Sequence, residues 1–98
     1  VNIGKIYRVK KYFWLLYSAK DGVAIEMART SPAQDVVKSL AVLLSNRYSC
    51  NVTYFSPDSY IVFLEQDGEY YKILTEDSLI GWVLIDENHN DCFEETTE

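Results

Sequence analysis

Apolar residues recur at every second position over much of this chain and switch to a three-to-four-residue spacing in one segment. Residues 3–17 are dense in β-branched and aromatic types. Their odd positions Tyr7, Val9, Phe13, Leu15 and Tyr17 are mostly apolar, whereas Arg8, Lys10 and Tyr12 are polar or amphipathic. A two-residue period predicts a half-buried strand, or two strands broken near Lys10-Lys11. Asp21-Gly22 reads as a turn, and residues 23–30 fit no single period because Val23, Ile25 and Met27 alternate mainly with alanine. The spacing then changes. Val36, Val37, Leu40, Ala41, Leu43 and Leu44 form one apolar stripe at helical intervals, opposite Gln34, Asp35, Lys38, Ser39 and Ser45. Ser31 suits the N-cap, Pro32 the first helical position and Gln34 a capping box, while Asn46 suits the end. A helix over about 31–45 follows.

The strand period returns after the helix. Asn51–Phe55 predicts a short strand, Ser56-Pro57-Asp58-Ser59 a turn, and Tyr60–Glu65 a strand. Asp67-Gly68 marks a two-residue hairpin, Tyr70–Leu74 pairs back, Thr75–Ser78 turns, and Leu79–Ile85 returns, which makes a meander. Strand alternation then assigns faces. Val83, Ile85, Tyr71 and Ile73 fall on the interior side, and Trp82 and Tyr70 together on the outer side. Gly81 lets a neighbouring strand or ring lie close.

Several of these pieces resemble the bacterial SH3-type domain. They are Ser56-Pro57-Asp58-Ser59, Ile61-Val62-Phe63-Leu64-Glu65, Asp67-Gly68, Tyr70-Tyr71-Lys72-Ile73 and Gly81-Trp82-Val83, with Gly4-Lys5-Ile6-Tyr7-Arg8-Val9 as the first strand. The resemblance covers about 45 of the 98 residues. It implies a mainly β fold with one helix: a small SH3-like antiparallel barrel over residues 1–85, the amphipathic helix inserted after the first strand region. The chain departs from that family in the inserted helix, in Tyr70-Tyr71 where paired tryptophans stand, and in lacking the acidic-aromatic peptide-binding motif of many eukaryotic members. A last barrel strand after Ile85 is evident only if Cys92-Phe93 supplies it.

Composition bounds the function. Ninety-eight residues make one domain with one core, and 48% hydrophobic with 24% charged residues is the balance of a folded soluble chain. The net charge of −6 comes wholly from residues 86–98, an acidic tail, whereas the first 20 residues carry five basic groups and no acid. Cys50 and Cys92 have neither metal nor redox spacing. No apolar run is long enough for a membrane helix and the N-terminus has no signal-peptide pattern, so the expected location is the cytoplasm. Richness in Phe, Tyr, Ile, Asn and Lys over Gly, Ala, Arg and Pro suggests an AT-rich coding sequence, bacterial or phage.

Candidate chemistry is sparse. His89 is the only histidine and sits in a polar stretch without the fixed surroundings a general base needs. No cofactor loop or metal motif is present, so the expectation is a non-enzymatic protein with no cofactor and no catalytic or metal residues. Three binding readings follow. Trp82 and Tyr70, with Trp14 or Tyr12, form an outward aromatic set for a protein partner, unless the helix or a second chain covers them. Self-association as a homodimer is the second. Arg8, Lys10 and Lys11 beside Tyr12, Phe13 and Trp14 offer phosphate and stacking contacts to a nucleic acid, but a pI of about 4.7 disfavours it.

Overall fold

A computed structural model describes residues 2–20, 33–48, 50–86 and 91–96. The predicted turn at Asp21-Gly22, the ambiguous 23–30 segment, the Ser31 and Pro32 capping positions and His89 lie outside the described residues. The strands are β1 (Ile6–Val9), β2 (Trp14–Tyr17), β3 (Val52–Phe55), β4 (Tyr60–Asp67), β5 (Tyr70–Thr75), β6 (Ile80–Leu84) and β7 (Phe93–Glu95), with helix α1 (Gln34–Tyr48) between β2 and β3. The fold is mainly β, antiparallel, with one helix among the described residues. The sheet runs β3-β2-β6-β5-β4-β1-β7 and is open, with β3 and β7 as its edges.

The meander β4-β5-β6 forms as its turn residues dictate. Gly68 takes a positive φ of 65° at the first position of a two-residue loop, the place where a type II′ hairpin turn requires glycine. The loop is Gly68-Glu69, one residue later than Asp67-Gly68, since Asp67 pairs with Tyr70. At the β3–β4 turn Pro57 is followed by Asp58 at φ 68°. The Ser59 hydroxyl donates to the Ser56 carbonyl at 2.5 Å and fastens that turn.

The open sheet is curled. In a flat sheet β2 and β7 would lie about 24 Å apart, five spacings of about 4.8 Å. Instead the Trp14 and Phe93 rings meet at 5.0 Å between centroids. All seven strands feed one interior cluster, with Phe63 at its centre against Tyr7, Tyr71 and Phe93. Val83, Ile73 and Ile85 are buried there, and Tyr71 packs against it, as alternation predicts. Phe93–Glu95, within the segment read as an acidic tail, is a sheet strand: Lys10 donates to the Cys92 carbonyl and Thr96 to the Ile6 carbonyl.

Alternation fails across residues 10–13. Tyr12 adopts φ 58°, and the kink shifts the parity of the chain. Tyr7 and Val9 point inward on β1, but Trp14 and Leu16 do so on β2, while Phe13, Leu15 and Tyr17 join the layer under the helix. β2 is thus buried on both faces, which is why its sequence, Trp-Leu-Leu-Tyr, shows no polar alternation.

Helix α1 lies on the other face. Val37, Ala41 and Leu44 are buried against Leu15 and Tyr17, with Val52, Tyr54, Tyr70, Trp82 and Leu84 packed around them. The inward stripe is narrower than the spacing implied, because Val36 and Leu43 are 49% and 58% exposed. The helix continues through Asn46 to Tyr48, and Gln34 donates its side-chain amide to the Tyr54 hydroxyl at 3.2 Å. Ser45 ties the helix to edge strand β3, accepting from the Val52 amide at 3.0 Å and donating to its carbonyl at 3.3 Å. Those are backbone groups an edge would otherwise expose. Cys50 packs in the helix layer and Cys92 in the interior, on opposite sides of the sheet, and no disulfide joins them.

Candidate interaction surface

The outer face of the sheet has two halves. Over β3, β2 and the near ends of β6 and β5 it is roofed by α1. Trp82 and Tyr70 share this half, as expected, and both are half-buried beneath the roof. Lys20 holds its ammonium 5.6 Å from the centre of the Trp82 ring and is ion-paired with Asp67. The aromatic pair is therefore mainly internal packing.

The other half, over β1, β4, β5 and β6, carries a row set by strand register. Ile6 pairs with Val62, Val62 with Leu74, and Leu74 with Ile80. The four side chains point to the outer face at one level across four adjacent strands. Ile6 is 45% and Ile80 55% exposed, and Val62 and Leu74 are half-buried between them. Tyr60 and Leu64 on β4, and Leu79 beside Ile80, extend the exposed apolar area. Contiguous apolar surface of this kind marks interaction sites, whereas scattered single residues do not. Sequence reasoning assigned these strands but passed over the row. Its signal was present: Val62, Leu74 and Ile80 are apolar at positions that alternation sends outward.

The remaining candidates are placed differently from expectation. Trp14 is fully buried and donates its indole N–H to the Lys11 carbonyl at 3.2 Å, so it has no surface for a partner. Tyr12 is half-buried against the interior cluster. The basic strand is engaged with acids. Arg8 lies 2.6 Å from Asp58 and 3.4 Å from Glu94, and Lys11 is 2.8 Å from Asp91, while Lys10 is exposed. Two of the three cations proposed for phosphate contact are thus already paired, two of their partners coming from the C-terminal acidic segment.

The Lys11–Asp91 pair has an electrostatic signature. Its hydrogen bond, and then the charge of Lys11, hold the Asp91 carboxyl below its ordinary 3.8. The same bond and charge hold the Lys11 ammonium above 10.5. The lowered Asp91 adds stability above its unfolded pKa, lost as pH falls through the folded value. The raised Lys11 adds stability below its own, lost as pH rises through the folded one. The tether is complete from about pH 4 to about pH 10. In Asp91→Asn, the Lys10 amide, bonded to the neighbouring Cys92 carbonyl, is expected to exchange faster at pH 7. The wild-type loss of protection on acidification should vanish in that variant. Amide exchange corrected for intrinsic rate reads both effects, and equal protection in the two proteins would contradict the tether.

A cleft of about 320 Å³ lies between edge strand β3 and the β5–β6 turn. Its polar groups fasten the turns: Glu76 accepts from the Tyr60 amide at 2.5 Å, and the Thr75 hydroxyl from the Leu79 amide at 3.3 Å. Among the described residues no cluster of His, Cys, Asp and Glu is arranged to hold a metal ion, and no helix is long and apolar enough to cross a membrane. Comparison with known proteins gives no matching family model, no matching curated protein and no matching solved structure.

Proposed function

We propose that this chain is an SH3-like protein-interaction module that acts by binding, through the outer face of β1, β4, β5 and β6. The fold part of this reading is supported by the three-stranded meander, by Gly81-Trp82-Val83 on its third strand, and by the curl that wraps the sheet around one aromatic interior. The open order from β3 to β7 and the helix between β2 and β3 are this chain's departures from that family. The function part is carried by one observation: among the described residues nothing covers the Ile6–Val62–Leu74–Ile80 row, while the neighbouring half of the same face is roofed.

The test compares wild type with Ile80→Glu as bait. Ile80 is more than half exposed, so the substitution should leave the amide spectrum of the folded protein largely intact. A protein retained by wild type and lost by the variant supports the reading. Identical retention by the two baits contradicts it.

A further inference from the structure

We infer that the uncovered sheet face takes a basic amphipathic helix, an inference that rests on the docking role proposed above. The molecule itself holds a template for the shape of the occupant. Next to this face, α1 already covers the same side of the same sheet with one apolar row of Val37, Ala41 and Leu44. The uncovered row crosses four strands, about 14 Å at about 4.8 Å per spacing. A helix rises 1.5 Å per residue, so about three turns span it. Such a segment presents apolar residues at i, i+3 or i+4 and i+7.

Charge around the row selects the flanks of that helix. At the β1 end, Arg8 is shared by the carboxylates of Asp58 and Glu94, which leaves a surplus negative charge. At the β5–β6 end stand Glu76 and Asp77, both exposed and, among the described residues, neither in an ion pair. Lys72 is matched by Glu65 across β4–β5, and Lys10 lies beyond Arg8. Lys5, exposed beside Ile6, offsets one further charge, and the rim stays acidic on balance, since Asp58, Glu65, Glu76, Asp77 and Glu94 outnumber Lys5, Arg8, Lys10 and Lys72. A second copy would lay one acidic rim on another, whereas lysines or arginines flanking an apolar stripe complement it.

The probe is a synthetic helical peptide with leucines on one face and lysines along its flanks, titrated into the isotope-labelled protein. A twin carries glutamates in place of the lysines. The lysine peptide is expected to move the signals of Ile6, Val62, Leu74 and Ile80. Its Kd should rise about tenfold between low and high salt, and the twin should bind at least about tenfold more weakly. Glu76→Lys with Asp77→Lys should narrow that gap, because the acidic rim sets it. Equal binding of the two peptides at the row overturns the basic partner while the docking face stands. A homodimer in sedimentation that Ile80→Glu dissociates also overturns it, since the occupant is then a second copy. Failure of both peptides to move the row, or shifts confined to Val36 and Leu43 on α1, overturns the inference and the docking face together.

Discussion

Replacing Phe63 with alanine is expected to lower the unfolding free energy by about 3–5 kcal/mol, the range for a fully buried aromatic. The residue has no exposed surface, and its ring meets Tyr7 at 5.0 Å, Tyr71 at 5.4 Å and Phe93 at 5.6 Å. These partners sit on β5, β1 and β7, so with its own strand β4 one ring ties four consecutive strands of the sheet order together. Its removal loses transfer free energy and leaves a cavity that three rings on different strands fill poorly. Against a total stability of about 5–15 kcal/mol for a native domain, that is at least about a fifth of the margin and, in a marginal domain, all of it. Urea unfolding followed by tryptophan emission measures it. A loss below about 1 kcal/mol would mean that the interior is not built around this ring.

Gly81→Ala is the second large effect and acts by the opposite route, overfilling. A Cβ built on Gly81 would lie 2.6 Å from the Tyr17 carbonyl oxygen and 2.7 Å from Leu16 Cγ. The nearer atom is backbone of β2, so no rotamer change relieves the contact; β2 and β6 must move apart. Among the described residues the ladder between these strands is the single pair Tyr17 with Trp82, beside the clash. The cost is expected at about 1–3 kcal/mol or more. The entropy that alanine removes from the unfolded chain, worth about 0.4–1 kcal/mol, does not offset it. Gly68→Ala is the control, since it meets nothing within 4 Å and pays only for its φ of 65°, about 1–2 kcal/mol. Weaker exchange protection along β2 and β6 in Gly81→Ala, but not in Gly68→Ala, is the expected pattern. Wild-type protection there in Gly81→Ala would contradict the close approach.

The sequence was most legible where the chain turns tightly and one face is dry. In the meander, the face shared by Val83, Ile73 and Tyr71 and the face shared by Trp82 and Tyr70 follow from parity alone, because short loops hold the register. Between β1 and β2 parity was misleading. Tyr12 takes a backbone conformation that non-glycine residues rarely adopt, and nothing in its neighbours announces it. That kink sends Trp14 to the interior and removes it from the outward set. Long-range order was not legible either: no local pattern tells that β2 lies against β6 and β3, or that β7 lies against β1. The Arg8 and Lys11 ion pairs depend on that order, since their partners lie more than 45 positions away. The uncovered row lay within reach of parity, but only the placement of α1 separates it from the roofed half.

Isoleucine side chains report on register, curl and the uncovered face at once. With δ1-methyl labelling and a soluble paramagnetic agent, the methyls of Ile3, Ile6 and Ile80 should broaden, whereas those of Ile61, Ile73 and Ile85 should stay sharp. Broadening of Ile61 or Ile73 as strong as that of Ile80 would place the wrong face of the sheet in water and contradict the account.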